Sequence, residues 1–315
     1  MNLLKRMIVF LLAVMLVSLS LLAAAEQSPV RVAALKGPTA MGLVKLMDDS
    51  KDGDAYAFTL AASPDALVPA IAKGEVDMAC LPVNLAAILY QNTKGAIRVT
   101  NINTLGVIYI LEKGGEVKSL SDLSGRKIYA SGKASTPEYT LTYLLEKAGV
   151  KDVEVDWKAE HSEALAAFLT DPAGLAMLPQ PFVTVAQTKN ESIHIALDLT
   201  REWEAVTGDT MVTGVTVART EFLEKNPEAA AQFLKDYEAS VAYVNANTWE
   251  AAALIGGFDI VAAPVAEKAL PYCNITFIAG ADMEKALTSF YQMLYDQNPK
   301  SVGGQVPDAA FYYQP

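Results

Sequence analysis

The sequence is poor in the side chains on which most catalysis depends. Two histidines and two cysteines occur in 315 residues. His161 and His194 do not form a pair at helical metal-ligand spacing, and neither a Cys-x-x-Cys nor a Gly-x-Ser-x-Gly elbow is present. A Cys80–His194 nucleophile pair would need two distant stretches of chain to meet. Asp and Glu pairs are plentiful, but they fall on solvated helices, where carboxylates ordinarily stay. No catalytic residue, metal ligand or cofactor is therefore expected.

Positive charge is scarce too, with 25 Lys and Arg against 36 Asp and Glu. Nucleic acids and anionic membranes are held by clustered Lys and Arg, so neither is an expected partner. In "ALKGPTAMGL", residues 34–43, Gly37 and Gly42 have the spacing of a phosphate-binding loop. Leu43 and Val44 stand where that loop needs Lys and Ser or Thr to reach the phosphates and magnesium. What is left is a strand, a glycine turn and a helix start. Cys80 and Cys273 are compatible with one disulfide in an oxidising compartment or with two buried free thiols.

One long apolar run is present. Lys5 and Arg6 precede Met7 to Leu22, and Ala23-Ala24-Ala25 closes it with small residues. That order is expected of a secretory signal cleaved after Ala25. A retained anchor is the alternative, but a spanning helix needs about 20 apolar residues and this run is shorter. No cysteine adjoins it, so there is no lipobox, and the expected location is the periplasm or cell surface. Cleavage leaves 23 basic and 36 acidic residues, a formal net charge of −13. The remaining 290 residues are more than a single core usually holds, so two lobes are expected.

Past residue 25 a short apolar run, a turn and a helical period recur, the pattern of an α/β sheet with crossover helices. Val30 to Leu35 leads through Gly37-Pro38-Thr39 to a helix near 40–47. Phe58 to Ala62 leads to Ser63-Pro64, with Ser63 as cap, and a helix that stops at Gly74. Val76 to Leu81 precedes Pro82-Val83-Asn84, which opens a helix through Tyr90. Lys127 to Ala130 is followed by "SGKASTPEY", with Thr136 as candidate cap, Pro137 in the first turn and Glu138 favouring the helix dipole. Val153 to Trp157 and Leu175 to Leu178 read as further strands, the latter entering "PQPFVTVA". Helices are expected at 227–245, 248–255 and 282–298. Extended segments at 104–113 and 213–220 bracket the central block, and two crossings make a hinge with a cleft beside it.

In order along the chain, "LKGPTAMG", "DMACLPVNLAA", "LSGRKIYASGKASTPEYTLTYLLEKAG", "AMLPQPFVTVA" and "FLEKNPEAAAQFLKDYEASVAYVN" resemble the solute-binding proteins of ABC importers, in the nitrate, sulfonate, taurine and pyrimidine-precursor group. The resemblance implies a type II periplasmic-binding-protein fold of two α/β lobes: residues 29–110 plus 214–315, and an inserted lobe of 111–213. It implies a monomer that captures a small solute by hinge closure and delivers it to a membrane permease and its ATPase. Carried onto matching loops, it makes Gly37, Pro38, Thr39, Ala40, Ser63, Val83, Asn84, Ser135, Thr136 and Gln180 the expected ligand-facing residues, with Pro82 and Pro137 beside them. Helix starts expose unpaired N–H groups and a partial positive charge, so several converging on one cleft can hold an anionic or carbonyl-bearing solute. Lys36 and Lys133 are the only cations in these loops, and Gln180 stands where the family is expected to have Glu. Menaquinone-pathway and pyrimidine-precursor enzymes resemble the same architecture, but they act inside cells, and the synthases carry a cysteine-rich motif absent here. An exported sensor read by a membrane partner is a further alternative.

Overall fold

The structure, a computed structural model, describes residues 28–53 and 55–314. The signal expected at 1–25 lies outside the described residues. The first part of the chain runs β1 (Val30–Leu35), α1 (Pro38–Met41), α2 (Val44–Asp49), β2 (Tyr56–Ala61), α3 (Pro64–Ala72), β3 (Met78–Pro82), α4 (Val83–Asn92) and β4 (Ile97–Leu105). The central part runs β5 (Ile108–Glu112), β6 (Lys127–Ser131), α5 (Thr136–Lys147), β7 (Glu154–Lys158), α6 (His161–Thr170), β8 (Leu175–Pro179), α7 (Phe182–Lys189), β9 (His194–Asp198) and α8 (Leu199–Thr207). The chain returns through β10 (Val212–Arg219), α9 (Thr220–Lys225), α10 (Pro227–Ala246), α11 (Thr248–Gly257), α12 (Ala263–Ala269), β11 (Ile275–Ala279) and α13 (Gly280–Gln297).

Two sheets result. The first has six strands in the order β11-β4-β10-β3-β1-β2, and the second has five in the order β7-β6-β8-β5-β9. Strands joined by crossover helices pair in parallel, β1 with β2 and β3, β6 with β7 and β8. The strands nearest the crossings, β10 and β5, pair antiparallel with their neighbours. This is the mixed two-sheet α/β architecture of the type II periplasmic-binding-protein fold.

The chain passes between sheets at residues 106–107 and again at 208–211. The extended segment expected at 104–113 is therefore broken, and all of β5 belongs to the second sheet. Gly106 explains the first break: a Cβ there would lie 1.9 Å from Thr200 Oγ1, so only glycine lets α8 approach so closely. Asn274 adds a side-chain bond to the Gly106 carbonyl.

Local departures have local causes. The single helix expected near 40–47 is two short ones, split at Gly42, whose backbone is pressed against Ile275, Val241 and Tyr237. Ser135, not Thr136, holds the N-cap position of α5, without a side-chain cap bond, and Thr136 is the first helical residue. Strand β4 begins at Ile97, a stretch with no sustained apolar run, because Thr100, Asn101, Asn103 and Thr104 are buried within it. They are satisfied mostly inside the sheet: the Asn103 amide donates to Thr216 Oγ1 at 3.1 Å, and Thr100 donates to the Thr216 carbonyl at 3.2 Å. Helices α6, α8, α9 and α12 and strands β9 and β11 are also additional to the elements expected.

Cys80 and Cys273 are both free and buried. Burial pushes their thiols up to about 11 and about 12, which makes them inert small hydrophobes. One apolar cluster packs on one face of each sheet, and the largest spans both sheets and joins the units. It joins Ile102 and Val212 of the first sheet to Ile108, Ile110 and Trp203 of the second unit. Trp203 is buried between Tyr143, with ring centroids 5.1 Å apart, and Phe290 of α13 at 5.4 Å. Among the described residues no helix is long and apolar enough to cross a membrane, and no group of three or more His, Cys, Asp or Glu could hold a metal ion.

Candidate functional site

Strand direction decides where the loops gather. The connections after β1, β3, β6, β7 and β8 all leave the carboxyl ends of their strands, the edge at which open α/β sheets bind ligands. Between the two sets of loops lies a cavity of about 490 Å³. Its size is that of a small-molecule pocket. The first unit supplies Lys36, Gly37, Pro38, Pro82, Asn84, Leu85, Ile88 and Thr213. The crossing segment adds Val107 and Ile108, and the second unit adds Gly132, Ala134 to Pro137, His161 and Pro179 to Phe182.

The lining is largely hydrocarbon, with few polar groups. Lys36 is the one Lys or Arg on it, and no Asp or Glu lines it among the described residues. The Lys36 ammonium is paired with the exposed Asp259 carboxylate at 2.7 Å. Helices α4, α5, α6 and α7 begin at or next to the lining, so their first-turn N–H groups and partial positive charges face the same space. Of the ten residues expected to face a ligand, Gly37, Pro38, Asn84, Ser135, Thr136 and Gln180 line the cavity.

Their hydrogen bonds show how they are held. Thr136 Oγ1 donates to Asn84 Oδ1 at 3.3 Å, a buried bond that joins α5 of one unit to α4 of the other. Ser135 Oγ donates back to the Gly132 carbonyl at 2.6 Å. Gln180, also buried, follows β8 on the turn that enters α7, and the Gln180–Pro181 peptide is cis. Its Oε1 accepts from the Thr184 backbone N–H at 3.3 Å and from the Thr184 hydroxyl at 2.9 Å. A backbone N–H can only donate, so the carbonyl end of this amide is fixed towards α7 and the NH2 end is left for the cavity.

The other four expected residues do not line it. Ala40, two residues after Pro38, and Val83, the first residue of α4, are fully buried, Ala40 in the apolar cluster on one face of the first sheet and Val83 in the cluster that crosses between the units. The Val83 carbonyl accepts from Tyr291. Thr39 turns its hydroxyl to the Leu35 carbonyl at 2.9 Å and its methyl towards Gly214. Ser63 is exposed on the loop that follows the edge strand β2, and it makes no side-chain cap bond. Lys133 is likewise absent from the lining, and Tyr139 packs in the core. The sequence reading missed His161 and Phe182. Ala164, Leu165 and Phe168 carry a helical period that would have placed a helix start at His161 just after the expected strand.

His161 opens α6 on the cavity wall. Its Nδ1 bonds to Ser131 Oγ at the end of β6, and its ring lies 5.1 Å from that of Phe182. Burial lowers its pKa, with a smaller opposing effect from Glu160, so the imidazole is neutral near pH 7.

Two α/β units facing each other across a cavity lined by both define a protein of the periplasmic-binding type. Residues 58–251 match the model of the family described as NMT1/THI5 like, and the chain belongs to that family. A crystal structure of an ABC transporter protein from Parabacteroides distasonis has the same fold, with a TM-score of 0.79 and 22% identity over 91% of this chain and 99% of that one. The periplasmic aliphatic sulphonate binding protein SsuA of Escherichia coli is similar at a TM-score of 0.73 and 18% identity, covering 91% and 92% of the two chains. The alkanesulfonate-binding protein SsuA of Xanthomonas axonopodis pv. citri, bound to MOPS, gives 0.65 and 15%, covering 89% and 96%. Among curated proteins no sequence matches this chain.

Proposed function

We propose that this protein is the extracytoplasmic solute-binding component of an ABC importer. The observation that carries the reading is the cavity shared by the two units, lined by residues of both and crossed by the Asn84–Thr136 bond. The units carrying the two sheets, residues 30–105 with 212–297 and residues 108–207, act as lobes that part and close about the two crossings, so the expected boundaries at 110/111 and 213/214 move to the crossings themselves. A solute settles on the helix starts of one lobe and is sealed by those of the other, so its binding energy shifts an open–closed equilibrium. Gly37, Pro38, Asn84, Ser135, Thr136 and Gln180 are the contacts. The closed protein then passes its solute to a permease.

The lining selects by chemistry. Leu85, Ile88, Val107, Ile108 and Phe182 suit an apolar body, while the Gln180 NH2 group, Lys36 and the helix starts offer donors without any facing carboxylate. A small organic solute with an oxyanion or carbonyl end fits, and a cationic one does not. Sulfonates are a natural class to try, since the structural neighbours include sulfonate-binding proteins. An enzyme of the same fold is the weaker reading, because among the described residues the lining offers His161 but no carboxylate or thiol to work with it.

The test is a thermal-shift screen against alkane- and arylsulfonates, nitrate, amino acids, pyrimidines and other heterocycles. A binder at 100 times its dissociation constant adds about 2.7 kcal/mol of stability, readily seen as a higher Tm. No shift with any class would overturn the binding role.

A further inference from the structure

We propose that His161 reads the polar end of the solute, donating a hydrogen bond from Nε2, with Ser131 as the residue that sets its tautomer. The proposal rests on the binding role given above to the cavity. His161 opens α6 on the cavity wall, where Phe182 covers it and Ser131 engages Nδ1. The ring nitrogen left for the cavity is Nε2, which has no hydrogen-bond partner among the described residues. The bond at Nδ1 decides what Nε2 can do.

Ser131 is buried, and its only side-chain bond among the described residues is the one to His161. If Nδ1–H donated to Ser131, the serine hydroxyl proton would be left with no acceptor in a buried place, a costly arrangement. If Ser131 donates to Nδ1, every proton is placed and Nε2 carries the ring N–H. The second arrangement leaves no group unsatisfied once a solute acceptor sits opposite Nε2. It also matches the Gln180 amide, whose NH2 end is left for the same cavity by the Thr184 bonds to Oε1. Two neutral donors on separate helix starts would then grip one acceptor-bearing group, with Lys36 free to leave Asp259 for an anion.

Only two histidines occur in the chain, which makes the test direct. In protein labelled with 15N at histidine, two-bond nitrogen–proton spectra report each tautomer, and the signal lost in His161→Phe assigns that ring. His161 is expected in the Nε2–H form in the wild type and in a mixture of forms in Ser131→Ala. Butane-1-sulfonate, benzenesulfonate, nitrate, glycine and uracil serve as probes. A probe that raises the Tm should move the His161 nitrogen signals and leave those of His194 in place. His161→Phe should weaken that probe about tenfold, the scale of one lost hydrogen bond, and His161→Gln should recover part of the loss. An Nδ1–H tautomer in the wild type, or undiminished binding by His161→Phe, would overturn the proposal while leaving the binding role intact. Should His161→Phe fail to fold, His194→Gln assigns the spectrum and the wild-type tautomer and probe shifts decide alone. If no probe raises the Tm, the binding role fails and this proposal falls with it.

Discussion

Gln180 shows what a single atom assignment can carry. Because Thr184 donates its backbone N–H to Oε1, the amide cannot reverse without losing that bond. Gln180→Glu keeps an acceptor for Thr184 but replaces the NH2 donors with a charged oxygen at the cavity. Affinity for an oxyanion-bearing solute should fall by tenfold or more, about 1.4 kcal/mol, as titration calorimetry would show. His161 gives a second prediction, independent of any solute. Its folded pKa lies below the ordinary value of 6.5 because burial disfavours the imidazolium. Below pH 6.5 the unfolded chain therefore binds more protons than the folded one, and stability drops as pH falls towards the folded pKa. Tm measured from pH 8 down to pH 5 should show this loss, and His161→Gln should remove that component. At this scale the sequence was partly legible. The family resemblance, carried onto loops that follow strands, put Asn84, Ser135, Thr136 and Gln180 at what proves to be the cavity wall, but it could not tell which way each side chain turns. Ala40 and Val83 lie within two residues of cavity-lining positions and are buried in the core.

Elements were easier to read where hydrophobic runs and helix punctuation coincide, as at β1, β3 and α10, and harder where a buried strand is polar. Strand β4 is such a case, since its asparagines and threonines bond largely within the sheet and so look like a loop to any apolar-run criterion. The crossing at Gly106 belongs to this scale too. A methyl group there meets Thr200 Oγ1 at the start of α8, and overpacking of this kind typically costs about 1–3 kcal/mol. Gly106→Ala should lower stability by that order in chemical denaturation. Adding Thr200→Ala, which removes the clashing hydroxyl, should restore part of it, so the double-mutant cycle should be strongly non-additive.

The two units share one apolar cluster, and that governs how the whole molecule behaves. Trp203 is the clearest link, buried on α8 against Tyr143 of its own unit and Phe290 of the other. Its Nε1 is buried without a hydrogen-bond partner among the described residues, so its value here is packing alone. Trp203→Ala should cost about 3–5 kcal/mol, and Trp203→Phe much less, as read from unfolding midpoints. Two lobes could be anticipated from chain length and the bracketing segments. That a common core would join them could not, because the residues that build it are far apart in sequence and individually ordinary. The Asn84–Thr136 bond has a consequence of another kind. Beside the shared cluster, the side-chain bonds between the lobes, Thr136 to Asn84 and Tyr109 to the Tyr272 carbonyl at 3.0 Å, are neutral and contribute about 1 kcal/mol each, too little to keep the cavity mouth shut for long. Without cargo the mouth of the cavity should open and shut on the microsecond-to-millisecond timescale of hinge motions. On the proposed binding role, how long a molecule stays inside is set by the bonds it brings, and the protein would work as a timer wound by its own solute.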